Sequence, residues 1–211
     1  MQAGFEKFFG PVTRTVTDLE RDGVPMRKVG LARTYATTLD DLWEAVTDSE
    51  RLARWFLPVT GDLKQGGRYQ LKGNAGGEIL ECNPPEHLAV TWEFGGGKSW
   101  VELFLAEDAS KGARLTLEHL CPVDEHWENF GAGAVGVGWD LALVGLDAHL
   151  DPDAPPMSEE ALVTSDEGKA FIRGSSQDWA RASIDAGAAP EAANAQARKT
   201  SAFYTGEAQG D

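Results

Sequence analysis

Through the middle of the chain, apolar and polar residues alternate, turn and alternate again. In HLAVTWEF (87–94), Leu88, Val90, Trp92 and Phe94 alternate with His87, Ala89, Thr91 and Glu93. That period of two belongs to a strand with one face in and one face out. RYQLKG, GGEILEC, SWVELFLAED and ARLTLEHL read as further strands. Between them lie Gly76-Gly77, Asn83-Pro84-Pro85-Glu86, Gly95-Gly96-Gly97 and Lys111-Gly112, all turn chemistry. Short strands joined by turns of this kind predict an antiparallel meander, because parallel strands would need helical crossovers between them.

On either side of the meander the period lengthens. Residues 26–37 read as a first strand with Val29, Leu31 and Arg33 on one face. TTLDDLWEAVTDSERLARWF follows, where Thr38 or Asp40 can cap a helix with Leu42, Trp43 and Val46 on its apolar stripe. Asp48 and Ser49 restart a second short helix through Leu52, Trp55 and Phe56, and Pro58 ends it. After Pro122 and the acidic DEHWEN, residues 127–150 predict one long helix, broken by Asp151-Pro152-Asp153-Ala154-Pro155-Pro156. Two amphipathic helices are expected beyond it, able to dock through Phe171, Ile172 and Trp179 and through Phe203 and Tyr204. The organisation expected is an N-terminal arm (1–25), a main domain (26–150) and a helical extension packed on it (151–211).

Within the long helix, Gly131, Gly133 and Gly136 spell GxGxxG. A dinucleotide loop must follow a buried strand and open a helix whose N-terminus meets the pyrophosphate. These glycines follow the polar PVDEHWEN instead, so a nucleotide site is not expected. Each glycine inside a helix costs roughly 0.5–1 kcal/mol against alanine, so the five between Phe130 and Leu146 need a reason. Either a neighbour approaches closely or space is left beneath the helix, and space there would be a pocket.

This order of elements resembles the helix-grip, or START-like, fold. The stretches TTLDDLWEAVTDSERLARWF, GEILECNPPEHLAVTWEF, ARLTLEHL and GVGWDLALVGL are similar to the SRPBCC superfamily, in its branch related to the activator of the heat-shock-protein-90 ATPase. The resemblance covers residues 26–150, and the closing FYTG is similar to bacterial relatives. It implies an α+β fold in which a curved antiparallel sheet wraps around a long C-terminal helix, with an elongated apolar cavity between them. Superfamily members bind lipids, steroids, polyketides or plant hormones there, and a few cyclise or hydrate what they bind. The chain does not display the separate N-terminal domain of the eukaryotic activators, which sets it apart from chaperone activation.

Such a cavity would be lined by Trp55, Phe56, Leu88, Val90, Trp92, Val101, Leu103, Leu115, Leu117, His119, Val135 and Trp139. His119 shares a strand face with Leu115 and Leu117, where an imidazole can orient a ligand or move a proton near neutral pH. Glu81, on the face of Ile79, is the candidate carboxylate, with Arg33 or Arg68 as its ion-pair partner. His119, Cys121, Asp124 and His126 have a spacing that could hold zinc, but they lack paired close ligands such as CxxC, so no metal and no cofactor are expected. Trp100 and Phe104 lie on the opposite strand face, where the extension or a second copy could cover them.

Charge narrows the partners. There are 34 Asp and Glu against 19 Lys and Arg, a formal net charge of −15. Such a surface repels phosphate backbones and anionic headgroups, which argues against nucleic acid and membrane partners. No apolar run approaches the roughly 18 residues of a membrane span, and the N-terminal residues do not read as a signal peptide. Two cysteines, Cys82 and Cys121, suit a reducing compartment, and a cytoplasmic monomer or homodimer is expected. The leading expectation is a binding protein for a hydrophobic small molecule. A cyclase- or hydratase-like enzyme using His119 and Glu81 is the alternative, and a co-chaperone or other protein-interaction module is the third reading.

Overall fold

The structure, a computed structural model, describes residues 12–109, 112–154 and 163–207. Residues 1–11 of the N-terminal arm, Lys111, Pro155, Pro156 and the start of the extension lie outside the described residues. The chain forms β1 (Thr13–Arg21), β2 (Val24–Tyr35), α1 (Leu39–Thr47), α2 (Ser49–Trp55) and β3 (Val59–Gly61). It continues through β4 (Arg68–Leu71), β5 (Gly76–Asn83), β6 (His87–Phe94), β7 (Gly97–Asp108) and β8 (Gly112–Pro122). Among the described residues, the helices α3 (Glu125–Phe130), α4 (Gly133–Leu150), α5 (Asp166–Asp185) and α6 (Pro190–Thr205) follow.

All eight strands form one antiparallel sheet in the order β1-β2-β8-β7-β6-β5-β4-β3. The expected meander is β3 to β8, and β8 returns to pair with β2. This is the helix-grip α+β fold, with helices against the sheet's concave apolar face. Val29 and Leu31 of β2, Val101 and Leu105 of β7, and Leu115 and Leu117 of β8 are buried there against Val137, Leu143 and Leu146 of α4. None of the described helices is long and apolar enough to cross a membrane.

Local chemistry sets the helix boundaries. The Thr38 hydroxyl accepts from Asp41 N at 3.2 Å and opens α1. Asp48 ends α1 and caps α2, its carboxylate accepting from the amides of Glu50 and Arg51. Asp124 and Ser165 cap α3 and α5 in the same way, which supplies acceptors for amides that have no partner within the helix. Pro190 occupies the first turn of α6 and Gly206 closes it in the left-handed conformation.

Two expectations need correction. The stretch expected as an arm carries a nine-residue strand, β1, paired with β2 along the edge of the sheet. The helix expected over 127–150 is two helices, because Gly131 adopts φ +59° and turns the chain between α3 and α4.

Of the two reasons open for the glycines, the close approach of a neighbour is the one the structure displays. A Cβ at Gly136 would overlap the Trp179 indole, one at Gly133 would press on Thr200, and one at Gly138 would lie 3.0 Å from the Tyr204 hydroxyl. Gly145 faces the Trp55 carbonyl of α2. Four of the five glycines, Gly131 against Gln196 included, thus admit the C-terminal helices α5 and α6 to the back of α3 and α4.

That seam is also polar. Asp140, 2% exposed on α4, accepts from Arg14 Nε and Nη2 of β1 at 3.1 and 3.0 Å. It also accepts from the Ser175 hydroxyl at 2.5 Å and from Trp179 Nε1 at 3.0 Å, both on α5. Two turns further on, Asp147 pairs with Arg33 of β2 at 2.7 Å. One acidic stripe of α4 is therefore gripped by β1, β2 and α5 together.

Candidate functional site

Between the sheet and α4 lies a cavity of ≈ 160 Å³. The strands supply Leu88, Val90, Trp92, Val101, Leu103, Leu115 and Leu117, which project inward because each is two residues from the next on its strand. The helices supply Trp55, Phe56 and Trp139. These ten are among the twelve side chains expected to line a cavity. His119 and Val135 are not in its wall and face a second space instead. The lining also includes Val46, Tyr69, Leu71, Ile79 and Leu143. Alternation in RYQL marks Tyr69 and Leu71, and Leu143 stands one helical turn beyond Trp139, so all three were within reach of the sequence. None of the described lining residues is charged.

Two wider grooves adjoin the cavity. One, of ≈ 440 Å³, runs between the β6–β7 hairpin and the ends of α3 and α6. The other, of ≈ 750 Å³, lies between α2 and the outer side of α4. Phe56 lines all three spaces, while Trp92 and Trp139 line both the cavity and the smaller groove. The Phe56 and Trp139 rings stack at 6.1 Å, and Trp92 meets Trp139 edge-on at 5.2 Å. Three aromatic side chains therefore form the partition between interior and groove.

His119 holds that partition in place. Its Nδ1 accepts from Trp139 Nε1 at 3.0 Å. Indole nitrogen only donates, so Nδ1 carries no proton and the neutral ring must carry it on Nε2. Nε2 accordingly donates to the Ser99 hydroxyl at 2.8 Å, and Ser99 donates in turn to the Trp92 carbonyl at 3.2 Å. Burial pulls the imidazole down to about 4, which keeps it neutral at physiological pH. With both nitrogens occupied, His119 is poised as a positioning group for Trp139 and Ser99.

The carboxylate expected beside it is elsewhere. The β5–β6 register shifts between Ile79 and Glu81, so Ile79 points inward while Glu81 turns outward. Glu81 lies 3.4 Å from His87 Nδ1 on the solvent face, and its side chain is 57% exposed. Its expected partners are engaged with other acids, Arg33 with Asp147 and Arg68 with Glu93 at 2.7 Å each. His119 and Glu81 are thus separated by the sheet and make no acid–base pair.

The remaining candidates also resolve. Cys121 is buried one strand-face position beyond His119, and its thiol is pushed up to about 12 by burial. His126 packs against Phe130 at 4.9 Å, and no group of three metal-ligating side chains occurs among the described residues. Trp100 lies under the Arg21 guanidinium at 3.9 Å, and Phe104 stacks with His87 at 4.7 Å. The extension expected to cover these two aromatics packs on α4 and β1 instead, with Trp179 and Ile172 buried in that seam.

Residues 36–151 match the family described as Activator of Hsp90 ATPase homolog 1-like protein. The chain belongs to this family. Among solved structures, CalU16 from Micromonospora echinospora is similar over most of this chain. Its crystal structure is 31% identical, with a TM-score of 0.67 over 82% of this chain and 98% of CalU16. Its solution structure is 30% identical, with a TM-score of 0.71 over 88% of this chain and all of CalU16. That coverage carries the likeness beyond the residues of the family match. DynU16, a protein of the dynemicin biosynthetic locus, shares the fold at 23% identity and a TM-score of 0.53, over 63% of this chain and 50% of its own. None of the curated proteins matches significantly in sequence.

Proposed function

We propose that this protein binds an apolar or amphipathic small molecule between its sheet and α4. The observation that carries the reading is the uncharged ≈ 160 Å³ cavity beneath Trp139. Protein interiors normally pack without voids larger than a water, so a space of this size is a feature of the fold. An apolar cavity of roughly 150 Å³ is large enough to take up benzene. Two open grooves reach it past a thin aromatic partition, which gives a ligand longer than benzene room to extend. The enzymatic alternative loses its support with the separation of His119 from Glu81.

The test pairs native mass spectrometry with titration by naphthalene, followed through tryptophan emission. The expected result is saturable binding at one site that is lost in Val101→Phe, because the larger ring fills the cavity from its β7 wall. A discrete mass retained natively and lost on denaturation would begin to identify the natural ligand. Absence of saturable uptake in the folded wild type would overturn the reading.

A further inference from the structure

The smaller groove is lined by aromatic rings together with the polar side chains of Asn74, Lys98, Ser99, Asp124 and His126. Phe94 and Phe203, at 61% and 64% the most exposed large hydrophobic side chains among the described residues, both line it. Trp127 stands with them, and Trp92 and Trp139 lie where the groove meets the cavity. Exposed large apolar side chains around a concavity mark an interaction or ligand-binding surface, and aromatic rings are suited to stacking on a planar partner. Ser99 lines the same groove and is half-buried.

The hydrogen-bond chain fixes what Ser99 can offer. A hydroxyl has one proton and two lone pairs. Its proton is committed to the Trp92 carbonyl, and one lone pair receives the proton of His119 Nε2. That direction follows from Trp139, whose indole can only donate to the other imidazole nitrogen. In this arrangement the hydroxyl's proton is in use and one lone pair is unengaged.

We infer that the groove takes a planar aromatic molecule carrying a hydrogen-bond donor, of the phenol class, whose O–H is read by the unused lone pair of Ser99. The inference rests on the proposed small-molecule function and adds the chemistry of the ligand. Rings stack between the mouth and the Trp92–Trp139 base, and the donor points to β7. Ethers of the same shape offer Ser99 no proton, and they bind less well. His119 is here a positioning residue: it sets the polarity of the contact without touching the ligand.

The test compares 2-naphthol with 2-methoxynaphthalene by calorimetric titration, in the wild type and in Ser99→Ala. The wild type is expected to prefer the naphthol by roughly tenfold, the upper range of one neutral hydrogen bond. Ser99→Ala should remove that preference by weakening naphthol binding while leaving the ether within about twofold. The wild-type comparison needs no variant, so it stands even if Ser99→Ala is poorly folded. Saturable binding of both probes with equal affinity would overturn the donor inference and leave small-molecule binding intact. Binding of neither probe would overturn both. A naphthol preference that survives in a folded Ser99→Ala would assign the recognition to another group and overturn the role of Ser99.

Discussion

Gly136→Ala and Gly174→Ala are the same substitution within two helices, and they are expected to have opposite effects. Alanine gains up to about 1 kcal/mol over glycine within a helix. At Gly174, on the exposed side of α5, a Cβ has no neighbour within 4 Å, so the gain is realised. At Gly136 the same Cβ meets Cε2, Nε1 and Cδ2 of the Trp179 indole inside contact distance. The ring cannot retreat, because it is 1% exposed and its Nε1 is held by Asp140 at 3.0 Å. Overpacking of this kind costs about 1–3 kcal/mol, and a pinned aromatic ring belongs at the upper end. The net loss is about 2 kcal/mol, which separates the two variants by about 3 kcal/mol. For a chain of this length that corresponds to roughly 6–12 °C in Tm. Urea denaturation followed by circular dichroism measures the difference, and hydrogen exchange should show α5 opening first in Gly136→Ala. A Gly136→Ala protein as stable as the wild type would refute the claim that glycine is required for docking of the extension.

His119 sets a pH dependence. Its folded value of about 4 lies below the ordinary 6.5, so as pH falls the unfolded chain takes up this proton first. The contribution is intact above pH 6.5, declines as pH falls, and is lost below about 4, for a total of about 3 kcal/mol. His119→Phe should flatten the stability profile across that window, and an unchanged slope would refute the assignment. Arg14→Ala removes two hydrogen bonds from the buried Asp140 and should cost about 3 kcal/mol in urea denaturation. Arg181→Ala, which breaks an exposed pair with Asp178, should cost no more than about 0.5 kcal/mol, and equal losses would refute the buried network.

The sequence announces the sheet more readily than its edge or its back. Alternation in HLAVTWEF and ARLTLEHL places Leu88, Val90, Leu115 and Leu117 on the cavity wall, since a strand with one buried face must show period two. In TRTVTDLER only Val16 and Leu19 are apolar, so an edge strand held by backbone pairing and by Arg14 leaves little apolar signal. Glu81 was misplaced because a register shift of one residue reverses the face of everything after it, and composition does not mark the shift. The glycines of α4 were visible as an expense without a visible beneficiary. Their neighbours, Trp179, Gln196, Thr200 and Tyr204, lie 40 to 70 positions away along the chain, beyond the reach of any local pattern. Ser99 is silent in the sequence for a similar reason. Its meaning comes from a proton order that begins at Trp139 and passes through His119.

The Asp140 junction bears on how such a domain can travel between proteins. The family match begins at residue 36 and ends at 151, yet the side chains that hold Asp140 come from residue 14 on one side and from residues 175 and 179 on the other. A fragment cut at the family's borders would inherit a stranded carboxylate and a bare glycine trench along α4. In this chain the side chains that satisfy Asp140 lie on both sides of the matched segment.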